Sequence, residues 1–250
     1  MTDPHKHKPF YIAFATQKGG AGKSSFTILA ASIAHYTSKR NVAVIDCDYP
    51  QLSIANMRKR ELENISKNAT LKNLALAKFS EHNKTSYVVE SAATPDAIKV
   101  AEKIASAQNV DYIFFDLPGT VNQPGILTLI QQMDYIFTPI SADRRVVESS
   151  LSFLLMLRQL SDEIKSYVFW NMVDGREKTN LYEAYNQLMK EYRIPILETM
   201  VPYLLRFHKE AIDYSQEGVF CSTLLAPSRS MLSNSRVHYL CDEIFEIINQ

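Results

Sequence analysis

The stretch TQKGGAGKSS at residues 16–25 constrains the fold more than any other part of the chain. It holds three of the seven glycines, and it separates the apolar run Phe10–Thr16 from an amphipathic run that begins near Ser24. Glycines let a backbone turn tightly and bring its N–H groups close to an anion, and a helix that begins there adds its positive end. The stretch therefore predicts a phosphate-binding loop between a strand and a helix.

This loop departs from the common phosphate-loop pattern GxxxxGK[ST]. Gln17 stands where the first glycine of that pattern belongs, and an additional lysine, Lys18, follows it. In the common pattern, the lysine at the position of Lys23 neutralises the β- and γ-phosphates and the hydroxyl at the position of Ser24 binds Mg²⁺. The common pattern GxxxxGK[ST] assigns no function to a lysine at the position of Lys18.

Short apolar runs alternate with longer amphipathic stretches along the whole chain. Strands are predicted at 10–16, 41–48, 86–91, 111–118, 134–141, 166–173 and 196–202. Helices are predicted at 24–38, 51–65, 95–108, 124–133, 144–162, 177–192 and 232–249, with a further helix or two within 62–84. This order predicts an α/β fold with a mostly parallel sheet of about seven or eight strands, flanked by helices on both faces. Residues 10–250 are expected to form one domain after a flexible N-terminus at 1–9.

Composition excludes several classes of protein. Lys plus Arg and Asp plus Glu both number 27, so no overall positive charge marks a nucleic-acid-binding protein. The three widely spaced cysteines fit neither a disulfide framework nor a CxxC site, and they are expected to be buried thiols. The N-terminus has no apolar signal region, and no stretch has the length of a membrane span. A cytoplasmic protein is expected.

Carboxylates follow two of the predicted strands. Asp46 and Asp48 lie near the end of one strand, and alternation places them on the same side of it. Asp116 ends another strand and is followed by Pro118 and Gly119. Since ligands of parallel sheets bind at the carboxyl ends of strands, these residues are expected beside the phosphate loop. Capping of the next helix by Asp48 and a structural turn at Asp116 remain alternatives.

The spelling KGGAGKS is that of a deviant Walker A box, and the sequence resembles the ParA/MinD family of ATPases. The resemblance implies that Lys18 reaches across an ATP-dependent homodimer to the nucleotide of the partner subunit, and that Asp48 orients or deprotonates the attacking water. The Mg²⁺ site implied in this way comprises Ser24, Asp46 and Asp116. The implied ATP-binding residues of the loop are Lys18, Gly19, Gly20, Ala21, Gly22, Lys23, Ser24 and Ser25.

The same resemblance implies that Asn171, Met172 and Pro202 flank the adenine. An asparagine amide offers a donor and an acceptor that match the edge of the base, although a buried asparagine that caps a loop is the alternative. Trp170 is expected in the core, because alternation points it away from Asn171. Around Asp48 the sequence also looks like the ParA-type proteins, often called TraA, of conjugative transposons of Bacteroides-like bacteria.

Members of this family bind either DNA or membranes. Binding to membranes uses a basic amphipathic C-terminal helix, whereas the predicted last helix here carries acidic residues on its polar side and is expected to pack on the domain. No membrane partner is therefore expected. Sequence-independent DNA binding requires cations aimed at phosphates. The candidates are Arg206, Lys209, Arg229 and Arg236, with a second basic cluster at 57–61.

These residues together predict a partition ATPase that requires ATP and Mg²⁺, binds DNA without sequence preference and is stimulated by a ParB-like or conjugation-machinery protein. Such an ATPase would be cytoplasmic and associated with the nucleoid. An ATP-switched adaptor of the conjugal transfer apparatus is the alternative. Metabolic relatives are a third hypothesis. They are disfavoured because the chain lacks paired cysteines for an iron–sulfur cluster and a recognisable substrate pocket.

Overall fold

A parallel sheet of six strands forms the centre of the computed structural model, which describes residues 8–176, 179–204 and 221–250. The strands are β1 (Phe10–Phe14), β2 (Val42–Asp46), β3 (Val88–Ser91), β4 (Tyr112–Asp116), β5 (Tyr135–Ile140) and β6 (Lys165–Trp170). Their order is β3-β2-β4-β1-β5-β6, and every adjacent pair is parallel. The predicted α/β fold with a parallel sheet is therefore confirmed.

Helices connect these strands and cover both faces of the sheet. They are α1 (Lys23–Ser32), α2 (Ser53–Lys67), α3 (Ala69–His82), α4 (Ala97–Ala107), α5 (Ile126–Ile130), α6 (Arg144–Leu160), α7 (Thr179–Glu191), α8 (Arg229–Ser233) and α9 (Val237–Ile248). A π-helical turn at Ile33–Thr37 extends α1, and a 3₁₀ turn at Thr94–Asp96 precedes α4. The helix predicted at 232–249 begins five residues later, at Val237, because Arg236 has a left-handed backbone with φ 58°.

Two apolar cores lie on opposite faces of the sheet. In β1, Ile12 and Phe14 pack in a core with α1 and α9, whereas Tyr11 and Ala13 pack in a second core with α4 and α6. This alternation is repeated in the other central strands, whose residues are buried on both faces. The burial explains why these strands read as nearly continuous apolar runs in the sequence.

The position of β1 determines where a ligand binds in this sheet. β1 lies between β4 and β5: the connection that leaves β1 leads to β2 on one side, whereas the connection from β4 crosses β1 to reach β5 on the other side. Parallel sheets bind ligands at the carboxyl ends of their strands, at the point where the strand order reverses. The predicted phosphate loop leaves β1 at this point.

The seventh strand predicted at 196–202 does not form a continuous ladder. Single bridges pair Ile196 with Val168 and Pro202 with Val173, at the edge of β6. Between the bridges, the N–H groups of Glu198 and Thr199 donate to the side-chain carboxylate of Glu243 in α9, at 2.6 and 3.0 Å. On either side of this point the segment still donates to β6, from the Leu197 N–H to the Val168 carbonyl and from the Val201 N–H to the Trp170 carbonyl. The sheet of the described residues has six strands instead of seven or eight.

The C-terminal helix α9 packs on the domain, as the sequence predicts. Its stripe of Val237, Leu240, Ile244, Phe245 and Ile248 is buried against the face that contains α1. The thiols of Cys47 and Cys241 are buried, and that of Cys221 is half-buried. In the described part of the chain, no helix is both long and apolar enough to cross a membrane.

Candidate nucleotide-binding site

The loop between β1 and α1 lines a cavity of about 330 Å³ at the carboxyl end of the sheet. Gly20 and Gly22 have φ values of 76° and 90°, a left-handed conformation that glycine adopts without a clash of Cβ. Gly22 is the N-cap of α1, and no side chain caps this helix. Within the described residues, the N–H groups of Gly20, Gly22 and Lys23 form no hydrogen bond. The loop therefore presents free donors to the cavity, as an anion site requires.

The two lysines of the loop lie at different cavities. Lys23 is 9% exposed and lines the 330 Å³ cavity. A methyl group added to Gly119, in the loop after β4, would lie 3.5 Å from Lys23 Nζ, so the ammonium contacts that loop. Lys18 does not line this cavity but a second one of about 110 Å³, whose walls include Ser141 and Val146. Lys18 and Lys23 therefore lie at two different cavities, although both belong to one loop.

Ser24, which lines the larger cavity, contacts the fully buried Asp116. The Ser24 hydroxyl donates a 2.7 Å hydrogen bond to Asp116 Oδ2. The other carboxylate oxygen, Oδ1, is buried and has no hydrogen-bond partner among the described residues. Burial raises the pKa of Asp116 from 3.8 to about 7, and the negative charge of Asp46 adds to this, while the Ser24 hydroxyl acts in the opposite direction. A cation bound here would satisfy the unpaired oxygen.

Asp46 is paired with Asp116 in the register of β2 and β4. It is fully buried, and its Oδ2 accepts hydrogen bonds from the N–H groups of Ile54 and Ala55 at 2.9 and 3.0 Å. Its Oδ1 accepts the N–H of Asp48 at 3.2 Å. Asp46 thus binds the first turn of α2, where a carboxylate also complements the helix dipole.

Asp48 lines the larger cavity, as does Lys23. The alternative expectation that Asp48 caps α2 is wrong, because Leu52 occupies the N-cap position and Asp46 provides the carboxylate. Burial raises the pKa of Asp48, the nearby Lys23 ammonium lowers it, and Asp46 raises it further. Asp48 is therefore a half-buried carboxylate that faces the cavity without a side-chain hydrogen bond in the described region.

The residues present fit a magnesium ion that arrives with a nucleotide. No group of three or more His, Cys, Asp or Glu side chains in the described ranges is arranged to hold a metal ion alone. Mg²⁺ in nucleotide sites commonly has only one or two protein ligands, with phosphate oxygens and waters completing its coordination. The Ser24 hydroxyl and the unpaired Oδ1 of Asp116 suit such a site. Asp46 already accepts three N–H donors, one on Oδ1 and two on Oδ2, and its place among the Mg²⁺ ligands stays a prediction.

Asn171 follows β6 and lies between the two cavities, lining both. Its Nδ2 donates a 3.0 Å hydrogen bond to the carbonyl of Ala21 in the phosphate loop. This contact matches the alternative expectation for Asn171, a buried asparagine that caps a loop. Met172 also lines both cavities, whereas Pro202 is paired with Val173 and does not line the larger one. Trp170 is 1% exposed and contacts α7, as expected for a core residue.

Four residues that line the larger cavity were not predicted as site residues. They are Gln51, Gly119, Tyr203 and Leu204. Three of them adjoin predicted positions: Gln51 follows Asp48 in DYPQ, Gly119 follows Asp116 in DLPG, and Tyr203 follows Pro202. Their positions just after the ends of predicted strands could have identified them as site residues.

The candidate DNA-binding residues are only partly described. Arg206 and Lys209 lie outside the described residues, while Arg229 and Arg236 are exposed. In the basic cluster at 57–61, Arg58 is not available to a nucleic acid, because its guanidinium donates to Thr223 Oγ1 and to the carbonyl of Tyr87, both at 2.9 Å. Lys59 and Arg60 of this cluster are exposed.

One protein-family model matches most of the chain. The model of the CobQ/CobB/MinD/ParA nucleotide binding domain matches residues 12–215. The chain belongs to this family. Comparison with curated protein sequences gave no match.

Several solved structures share the fold over nearly the whole chain. A plasmid partition protein from Borrelia burgdorferi B31 bound to AMPPNP is 17% identical, with 97% of this chain and 98% of that chain covered and a TM-score of 0.62. Apo McdA from Cyanthece is 16% identical, with coverages of 96% and 100% and a TM-score of 0.61. The MinD cell division protein from Aquifex aeolicus is 14% identical, with coverages of 96% and 98% and a TM-score of 0.59. At these identities the similarity concerns the fold.

Proposed function

We propose that the chain is a ParA-type ATPase that positions or segregates a plasmid or conjugative element by binding and hydrolysing ATP. The observation that carries the proposal is the separation of Lys18 from Lys23 around one phosphate loop. Lys23 faces the larger cavity of its own subunit. Lys18 lies outside that cavity and is available for a phosphate of another subunit. The binding of AMPPNP by the Borrelia partition protein of the same fold supports a nucleotide as the ligand.

In this proposal the site residues divide the binding and the chemistry among them. Lys23 and the free N–H groups of the loop bind the β- and γ-phosphates of ATP. Ser24 and Asp116 hold Mg²⁺, which supplies positive charge to the phosphate oxygens when bound. Asp48 orients the attacking water, and Asn171 and Met172 lie beside the base. Lys18 adds a cation to the γ-phosphate of the partner subunit, where it stabilises the charge that develops during phosphoryl transfer.

Paired lysine variants test the proposal. Lys23→Ala should abolish binding of MgATP by the monomer, measured by titration calorimetry, because the cation of the cavity is lost. Lys18→Ala should leave that binding within about twofold while preventing ATP-dependent dimerisation in sedimentation velocity, since truncation away from a binding site has little effect. Lys99→Ala on the exposed face of α4 is the matched control. Dimerisation of Lys18→Ala at the wild-type ATP concentration would contradict the proposed role in the partner subunit.

DNA binding separates this function from the alternative of a conjugation adaptor, which rests on the resemblance of the sequence around Asp48 to TraA-like proteins. We infer that the ATP-bound dimer binds DNA without sequence preference through basic residues that include Arg229 and Arg236. Shift assays with random duplexes should show binding only with ATP, and the affinity should fall steeply with salt. The absence of binding even at low salt would favour the adaptor. A ParB-like or conjugation-machinery protein is the proposed activator, and the nucleoid is the proposed location.

A further inference from the structure

We propose that Asn171 is a positioning residue of the phosphate loop, because its amide sets the direction of the Gly22 N–H. This inference rests on the proposed function to the extent that the ligand of the loop is a polyphosphate. It assigns to Asn171 a task that does not depend on the base of the nucleotide.

Asn171 is held firmly at the end of β6. Its backbone N–H donates to the carbonyl of Ile140 at 2.7 Å, which extends the pairing of β5 with β6 by one residue. Its side chain is 5% exposed, so the rotamer is fixed by packing. The amide Nδ2 then donates to the Ala21 carbonyl at 3.0 Å. The sheet thereby restrains one carbonyl of the loop.

That carbonyl belongs to the same peptide group as the Gly22 N–H. A trans peptide is planar, and its C=O and N–H bonds point in opposite directions. Ala21 lines the smaller cavity and Gly22 lines the larger one, and Asn171 lies on the wall between them. Holding the Ala21 carbonyl toward Asn171 therefore turns the Gly22 N–H away from it, toward the larger cavity.

The loop needs such a restraint because its own conformation does not provide one. Ala21 lies between Gly20 and Gly22, both left-handed, and glycine has access to many other backbone conformations. No other hydrogen bond to the Ala21 carbonyl occurs in the described residues. Without the amide of Asn171, the peptide between residues 21 and 22 is free to rotate, and the N–H loses its direction.

A ligand without a base distinguishes this task from recognition of adenine. A residue that only reads the base has no effect on inorganic tripolyphosphate, whereas a residue that aims a loop N–H affects tripolyphosphate and ATP alike. Asn171→Ala removes the donor. Asn171→Asp has nearly the same shape but places an acceptor against the Ala21 carbonyl. Asn249→Ala removes an amide-to-carbonyl bond far from the loop, together with an acceptor of Tyr112 and Arg40, and is the control for a lost asparagine side chain.

The experiment measures the affinity of the full chain for Mg-tripolyphosphate and MgATP by calorimetry, together with hydrogen exchange of peptides that cover residues 17–25 without ligand. We expect Asn171→Ala to weaken tripolyphosphate binding roughly five- to tenfold, as the loss of one hydrogen bond does, and Asn171→Asp to weaken it more. Loop amides should exchange faster in both variants. Circular dichroism and the unfolding midpoint establish that the variants are folded.

Unchanged tripolyphosphate affinity and unchanged loop exchange in both variants would overturn the inference. A failure of the proposed function looks different, since the wild-type chain would then not bind MgATP. In that case the exchange comparison alone decides whether Asn171 orders the loop.

Discussion

The Ser24 hydroxyl donates a 2.7 Å hydrogen bond to Asp116 although 92 positions separate the two residues. The bond satisfies one oxygen of a fully buried carboxyl group and leaves the other, Oδ1, without a partner in the described residues. A buried carboxylate with an unpaired oxygen is costly, and protonation reduces that cost. This is the physical reason why the pKa of Asp116 is raised to about 7.

Asp116 should make the ligand-free protein less stable as the pH rises. Its pKa is 3.8 in the unfolded chain and about 7 in the folded one, so between these values the folded protein binds more protons than the unfolded chain. Stability contributed by the protonated form is then lost as the pH rises from about 4 to about 7. Asp116→Asn removes this dependence and should be more stable than the wild type at pH 8, by on the order of 3 kcal/mol.

Urea unfolding between pH 5 and pH 8, without Mg²⁺ or nucleotide, measures this difference. Asp162→Asn, at an exposed position, is the control and should follow the pH dependence of the wild type. If Asp116→Asn and the wild type lose stability equally over this range, the carboxyl group of Asp116 is not protonated in the folded protein.

Gly22→Ala should destabilise the protein and weaken binding of MgATP. Gly22 has φ 90°, and an added Cβ would lie 3.2 Å from Cε2 of Phe26 and 3.5 Å from Nδ2 of Asn171. A left-handed conformation costs a non-glycine residue about 1–2 kcal/mol, before the contact with the buried Phe26 ring is counted. Urea unfolding measures the stability, and calorimetry the affinity.

Gly175→Ala is the matched control for this substitution. It lies in a loop with nothing within 4 Å of the added Cβ and without a left-handed φ. Its stability should equal that of the wild type within about 0.5 kcal/mol. Equal stabilities of the two glycine variants would show that the loop adopts another conformation in solution.

The sequence was sufficient to predict the fold because the fold depends on local patterns. Apolar runs covered on both faces, separated by amphipathic helices, specify a parallel sheet without knowledge of which residues touch. The phosphate loop is equally local, since its glycines, Lys23 and Ser24 are adjacent in the chain. The carboxyl-end rule then placed Asp48 and Asp116 at the same edge, and both lie there beside Asn171, which the family resemblance implied.

Roles that depend on distant partners were beyond prediction. The hydrogen bonds from Ile54 and Ala55 to Asp46 follow from where α2 begins, which the sequence leaves uncertain by several residues. The interruption of the segment 196–202 depends on Glu243, more than 40 positions later. Arg58 reads as a surface cation in a basic cluster, and only the fold shows that it binds Thr223.

Asp46 and Asp48 should differ in what their substitution changes. Asp46→Asn replaces a carboxylate that accepts three N–H donors at the start of α2, and it should cost roughly 1–2 kcal/mol of stability. Asp48→Asn affects a side chain without a hydrogen bond in the described residues, so its stability should change little. Under the proposed function, Asp48→Asn still binds MgATP but hydrolyses it at least about tenfold more slowly.

Thermal or urea unfolding and a phosphate-release assay separate the two carboxylates, and each variant is the control for the other. Equal losses of stability would show that Asp48 has a structural role that the geometry does not reveal. Unchanged hydrolysis by Asp48→Asn would remove it from the proposed mechanism.

Glu61 should be among the most sensitive positions outside the nucleotide site. It is 3% exposed, and its carboxylate accepts hydrogen bonds from both the N–H, at 3.0 Å, and the hydroxyl of Thr223. The same Thr223 hydroxyl oxygen accepts the Nε–H of Arg58, so Thr223 links the buried Glu61 carboxylate to the half-buried Arg58 guanidinium. Burial raises the pKa of Glu61, and the bonds from Thr223 and the charge of Arg58 lower it.

Glu61→Ala leaves the Arg58 guanidinium without its counter-charge and the Thr223 N–H without an acceptor. Uncompensated buried groups of this kind cost about 3 kcal/mol, so the urea midpoint should fall markedly. Glu63→Ala, two residues later and exposed, is the control and should be nearly neutral. Arg58→Met with Glu61→Ala should recover part of the loss, because it removes the stranded cation together with the acid. A double variant no more stable than Glu61→Ala would show that the bonds to Thr223, and not the charge of Arg58, account for the stability.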